Sequence, residues 1–248
     1  RNKLNKKYAF SKYLDLRPKL SVSEIKEGAI VIEAASDEAD EAEIRIRKER
    51  AAVRGNAFHR FMELIDYSRY CKLISKNPKP SDKEILEFLE LEKTRILDSG
   101  YMMKKEAAAL NVNLALGFFK SDIARQIALS DERGELRREQ RFMVSFKAGE
   151  NISENIEEYK EKVKKHEKLQ FNNGDEIQLL QGIADCIYED GDGRIVIVDY
   201  KTDRVDSKEK LIERYTVQLI IYAVSISQIM DKEIADCIIY STALQEAF

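Results

Sequence analysis

Cysteine, proline and glycine are all scarce in this sequence, and each scarcity excludes something. The three cysteines, Cys71, Cys186 and Cys237, are odd in number, irregularly spaced and contain no CxxC pair. Neither a four-cysteine zinc site nor a four-cysteine iron–sulfur cluster can be assembled from this chain alone. Small reduced thiols in a core are expected instead, in keeping with a cytosolic compartment. Three prolines and ten glycines in 248 residues argue against long linkers and low-complexity segments. No signal peptide stands at the start, and no apolar run is long enough to span a bilayer. No G-x-x-x-x-G-K-[ST] occurs, which excludes ATP hydrolysis by a phosphate loop. Excess positive charge is lacking too: the formal net charge is −3. Any nucleic-acid contact must therefore use a local positive groove, or a partner that delivers the strand. The chain opens on Arg1 rather than Met, so it is expected to be a fragment of something longer.

What is present is a soluble, highly charged composition, 44% hydrophobic and 35% charged, arranged in two textures. Residues 1–134 read as mainly helical. Ser21 with Glu24 offers a capping box and Gly28 a stop, which predicts a short helix. The charged stretch from Glu33 to Gly55 reads as a solvated helix. The segment from Gly55 to Tyr70 reads as a separate amphipathic helix, with Phe58, Phe61, Met62 and Ile65 at helical spacing. Residues 71–80 read as a loop, and Ser81 with Glu84 opens the next helix. From Glu135 the period changes. Residues 135–248 read as β-β-β-α-β: strands ending near Phe146, Tyr188 and Lys201, a helix capped by Ser207, and a final strand through Tyr240. A G-D-G turn joins the second and third strands. The segment 153–168 reads as helical or exposed, with His166 on the surface.

Chemistry gathers at the hairpin. Asp185 stands on one strand and Asp199 on the next, and alternation puts Asp199 and Lys201 on one face. Two close carboxylates repel unless a cation lies between them, and their hard oxygens suit Mg²⁺ or Mn²⁺. The spacing Asp-x(n)-Asp-x-Lys is that of the PD-(D/E)xK nucleases, although D-x-K also arises by chance in so charged a chain, as a hairpin end with surface ion pairs. Gly55 and His59 stand one helical turn apart, leaving room beside the imidazole for a ligand or a backbone. Gln218 and Tyr222 share one face of the long helix. Glu139 reads as an ordinary polar strand position.

Together "RGNAFHRFMELID", "REQRF", "QGIADCIYEDGDGRIVIVDYKTDRV", "YTVQLIIYA" and "IIYSTAL", in that order, resemble the carboxy-terminal nuclease domain of bacterial AddA-type helicase–nucleases, the RecB-type branch of the PD-(D/E)xK superfamily. The resemblance implies an α/β restriction-endonuclease-like core: a central mixed β-sheet flanked by helices, with a helical N-terminal half, residues 1–248 forming one domain. It implies that His59, Asp185, Asp199 and the backbone carbonyl of Tyr200 ligate Mg²⁺, with Mn²⁺ as a substitute and no iron–sulfur cluster. Lys201 would position water and counter charge on the scissile phosphate. Gln218 and Tyr222 would orient Lys201 or contact the DNA backbone, and Arg204 would handle phosphates. The implied activity is hydrolysis of single-stranded DNA fed by a helicase, in double-strand-break processing. The implied partners are the helicase part of the same polypeptide and an AddB-type protein, in the bacterial cytoplasm and with no membrane. A non-catalytic docking or DNA-channel module and a free-standing exonuclease remain the alternatives.

Overall fold

The computed structural model describes residues 19–22, 41–147, 152–172 and 176–248. The short helix expected after Ser21 lies outside them, apart from its first residues; Ser21 itself ends a strand. In chain order the elements are β1 (Lys19–Ser21), α1 (Glu41–Leu64), α2 (Tyr67–Lys76), α3 (Asp82–Asp98), α4 (Lys104–Ala109), a 3₁₀ turn (Val112–Ala115), α5 (Leu116–Lys120) and α6 (Asp122–Glu132). Then follow β2 (Arg137–Lys147), α7 (Ile156–Lys164), β3 (Ile177–Glu189), β4 (Ile195–Lys201), α8 (Lys208–Met230), β5 (Ile234–Ser241) and β6 (Glu246–Ala247).

The charged stretch and the amphipathic segment prove to be one helix, α1. Its first half is exposed from Arg45 to Arg54, while Phe58, Phe61, Met62 and, just past its end, Ile65 are buried. The chain breaks after Leu64 because Asp66 caps the next helix, accepting from the Ser68 amide at 3.0 Å. That helix runs on to Lys76, so the loop expected from residue 71 begins only at Asn77. At α3 the capping box forms as expected: Ser81 Oγ accepts from the Glu84 amide, and Glu84 accepts from the Ser81 amide at 2.8 Å. Ser207 Oγ caps α8, accepting from the Lys210 amide.

β2, β3 and β4 form an antiparallel meander, and α8 carries the chain across to β5, which pairs with β4 in parallel. β6 closes the edge against β5. β2 runs along one edge of β3. The other edge is shared: β1 pairs with Leu179–Gln181 and β4 with Cys186–Glu189. Residues 182–185 lie in the gap between them, which is where the meander opens.

Two apolar layers sandwich this sheet. On one face α1 to α6 pack against Cys186, Tyr188, Val196, Val198, Tyr200 and Tyr240. On the other, α7 and α8 pack against Phe142, Phe146, Leu180, Ala184, Ile187, Ile195 and Ile197. β4 thus alternates cleanly, and Asp199 and Lys201 fall on the α8 side. β3 does not. Leu180 and Ala184 join the α8 layer, whereas Cys186 and Tyr188 join the helical layer. β2 inverts at the same level: Phe142 packs toward α8, while the Arg138 guanidinium reaches the Ile65 carbonyl at 2.6 Å on the opposite side. The inversion falls at Glu139, whose backbone is left-handed at φ 48°, and at Asp185 opposite it.

Candidate active site and metal-binding cluster

Asp185 sits where β3 and β4 part. The ladder pairs Cys186 with Val198 and stops there. In its place the Tyr200 backbone N–H donates to Asp185 Oδ2 at 2.7 Å. A carboxylate thus replaces a strand's carbonyl and is fixed by the backbone. Its other oxygen, Oδ1, lies 3.3 Å from His59 Nδ1. The imidazole is held edge-on to the Tyr200 ring, with centroids 6.2 Å apart, and Tyr200 itself is buried in the helical layer.

Glu139 completes the group. The pairs Arg138 with Cys186 and Gln140 with Ala184 bracket it, so it stands directly across from Asp185. Potential ligand atoms of His59, Glu139 and Asp185 all lie within 4.8 Å of one another. Like charges placed opposite on neighbouring strands are destabilising. Burial, and then the Asp185 charge, push the Glu139 carboxyl above its ordinary range. At His59 burial works to lower the pKa, but the bond to Asp185 and that residue's charge outweigh it, and the net direction is upward. An imidazole and hard carboxylate oxygens at this separation fit a divalent ion such as Mg²⁺ or Mn²⁺, which would remove the repulsion.

Asp199 is placed behind this trio, 2% exposed, and faces Lys201. Lys201 Nζ lies 2.5 Å from Asp199 Oδ2 as an ion pair, but without hydrogen-bond geometry, so this buried oxygen has no hydrogen-bond donor. Burial raises the Asp199 pKa and Asp185 raises it further, against the opposing pull of Lys201. Both the crowding and the orphaned oxygen are what a site adapted to a cation looks like before the cation is counted.

α8 supplies the other side of Lys201. Gln218 Oε1 is 3.4 Å from Lys201 Nζ, and Gln218 Nε2 donates to the Tyr222 hydroxyl at 2.8 Å. Burial, and next the Asp199 charge, raise the Tyr222 pKa, so the phenol stays protonated. The two residues therefore stand in line behind the lysine. The Tyr215 ring also lies beneath Lys201, 4.1 Å from Nζ to centroid, and its hydroxyl donates to Asp203.

A cleft of about 870 Å³ opens beside His59, lined by Arg54, Asn56, Asn111, Thr202 and Arg204 among others. Arg204 is exposed there. The space at Gly55 is already taken: a Cβ on it would stand 3.0 Å from Thr202 Oγ1. The glycine admits the end of β4, not a ligand. His166, expected on the surface, is half-buried, with Nδ1 2.9 Å from Ser227 Oγ. Cys71 and Cys186 are buried thiols.

Glu139, Tyr215 and Asp203 went unassigned in the sequence. For Glu139 the signal was available only through register: it lies opposite Asp185 once the strands are paired. For Tyr215 it was a position three residues before Gln218 on the same helix face.

The sandwich of a mixed sheet with an acid–acid–lysine centre at its opening defines a nuclease class. The PD-(D/E)XK nuclease superfamily model matches residues 37–241, and the chain belongs to that family. It is similar to the ATP-dependent helicase/nuclease A-chain protein of Lachnoclostridium phytofermentans, 29% identical over 79% of this chain and 14% of the relative. It is 28% identical to the counterpart from a Thermoanaerobacter species, over 96% of this chain and 18% of that protein. For the counterpart from Clostridium botulinum strain Hall the identity is 26%, over 96% and 17%. The chain thus spans less than a fifth of the length of these relatives. No described helix is long and apolar enough to cross a membrane.

Proposed function

We propose that this chain is the metal-dependent nuclease unit of a larger helicase–nuclease polypeptide and hydrolyses phosphodiester bonds of single-stranded DNA. The observation that carries the reading is the convergence of His59, Glu139 and Asp185 beside the buried Asp199–Lys201 pair. His59, Glu139, Asp185 and Asp199, with the Tyr200 carbonyl, would hold Mg²⁺, for which Mn²⁺ would substitute. When bound, such an ion supplies Lewis acidity and lowers the pKa of water. Lys201 holds its ammonium at the carboxylate edge, where it orients the attacking water and offsets charge growing on the phosphate. Gln218 and Tyr222 fix the direction of that ammonium. The cleft beside His59, with Arg54 and Arg204, receives the phosphate backbone.

An acidic chain grips DNA weakly by itself, which is tolerable if a motor feeds the strand. The relatives are named as ATP-dependent helicase/nuclease components, which supports a role in end processing for recombination, with an AddB-type partner, in the bacterial cytoplasm. Residues 1–134 and 135–248 would act as one unit, since the first part brings His59 and the second the acids. The test is cleavage of labelled single-stranded DNA with Mg²⁺ or Mn²⁺. Wild-type chain should cut, and Lys201→Ala should be folded and inactive. Equal activity in that variant, or no Mn²⁺ uptake by calorimetry, would reject the assignment.

A further inference from the structure

Lysine is a flexible side chain, and a catalytic ammonium is useful only if it is held in one place. We infer that Tyr215 is the positioning residue that holds Lys201, acting through the face of its ring. This inference rests on the proposed nuclease reading for its catalytic meaning, but the placement itself can be tested without activity.

Around Nζ stand Asp199 at 2.5 Å, Gln218 at 3.4 Å and the Tyr215 ring centroid at 4.1 Å. The first contact lacks hydrogen-bond geometry and the second is long. The ring face is therefore the contact that limits where the ammonium can swing. A cation within about 6 Å of an aromatic centroid is attracted by the ring quadrupole, more so when desolvated. Here the Lys201 side chain is only 12% exposed.

The ring is itself fixed at both ends. Its backbone belongs to α8, and it packs with Leu211, Leu219 and Ile239 in a small core of their own. Its hydroxyl donates to Asp203, two residues beyond Lys201 on the segment that leaves β4. Meanwhile the Lys201 carbonyl accepts from the Thr242 amide at 2.9 Å, tying the strand end to the chain after β5. Strand, ring and lysine thus form a closed loop of contacts. Asp203, which looked like a surface acid in the sequence, anchors the ring that steadies the lysine.

Two variants separate the face from the hydroxyl. Tyr215→Phe keeps the ring and loses the Asp203 bond; Tyr215→Leu keeps apolar bulk and loses the face. Single-turnover cleavage by Tyr215→Leu should fall about five- to thirtyfold, a range set by the strength of such contacts. KM for DNA should stay unchanged, and Tyr215→Phe should remain close to wild type. A wild-type rate for folded Tyr215→Leu, or an equal loss in Tyr215→Phe, overturns the inference. If Tyr215→Leu does not fold, the wild-type chain decides. Lys201 methylene protons, assigned by the peak lost in Lys201→Arg, should be shifted upfield by the ring current. Values like those of exposed lysines overturn the placement. A wild-type chain that shows this shift but never cuts DNA keeps the placement and removes the nuclease reading.

Discussion

Asp199→Asn should make the metal-free protein more stable at neutral pH while leaving it unable to cut DNA. The reasoning starts from burial. Asp199 is 2% exposed, its Oδ2 has no hydrogen-bond donor, and burial is the first cause of a pKa raised from 3.8 to about 6. A raised carboxyl pKa means the folded state holds its proton longer than the unfolded state does. Stability from this group is then fully present below about pH 4 and is lost as pH rises toward about 6. At about 1.36 kcal/mol per pKa unit, that rise amounts to about 3 kcal/mol at pH 7. Asparagine removes that penalty but deprives Lys201 of its ion partner. Lys201 keeps the Gln218 and Tyr215 contacts, so a net gain of about 1–2 kcal/mol is expected. For a domain of this size that is about 2–4 °C per kcal/mol in Tm. The assay is urea unfolding in EDTA from pH 4 to 7, followed by circular dichroism. Wild type should lose stability across that range more steeply than Asp199→Asn. Added Mn²⁺ should stabilise wild type, by about 2.7 kcal/mol at a hundredfold excess over Kd, and the variant much less. A variant less stable than wild type at pH 7, with equal slopes below it, would refute the reasoning.

Three other outcomes follow from the geometry. Glu139→Gln removes one charged oxygen from the cluster with His59 and Asp185, and calorimetry should show at least about tenfold weaker Mn²⁺ binding. Glu92 is fully buried and accepts from the Asp66 amide at 3.0 Å and from Arg95 at 2.7 Å, with Arg69 2.9 Å away. Glu92→Ala strands those groups, and urea unfolding should register a loss of about 3–5 kcal/mol. Gly117→Ala would place a Cβ 2.3 Å from the Gln245 carbonyl oxygen, backbone that cannot turn aside. A loss of about 1–3 kcal/mol is expected by the same measurement, with cleavage per folded molecule retained because the contact lies outside the metal cluster.

Much of the scaffold was legible because it depends on local rules. The capping box at Ser81, the buried stripe of α1 and the meander around the G-D-G turn all follow from periodicity and capping chemistry within a few residues. The break between α1 and α2 was not legible, since a helical period alone does not show that Asp66 will cap a new helix. Nor was the merger of the charged stretch with the amphipathic one. Charge reports solvent exposure, and an exposed turn can still be helical when its continuation is anchored in a core.

For the site, the sequence by itself determined that Asp199 and Lys201 share a face, because a strand's side chains alternate with a period of two whatever surrounds it. It also determined that Gln218 and Tyr222 share a face, because helical spacing is as strict. Tertiary structure decided the rest. Glu139 and Asp185 became opposite neighbours only when β2 and β3 took their register, and both strands invert their facing at that level. Tyr215 came to lie under Lys201 only when α8 crossed over to join β5. Gly55 changed meaning when the end of β4 filled the space beside it. The physical reason is the same in each case. Backbone geometry sets which residues of one element point together, whereas burial of the two apolar layers sets which elements meet, and a site built from several elements exists only after both are satisfied.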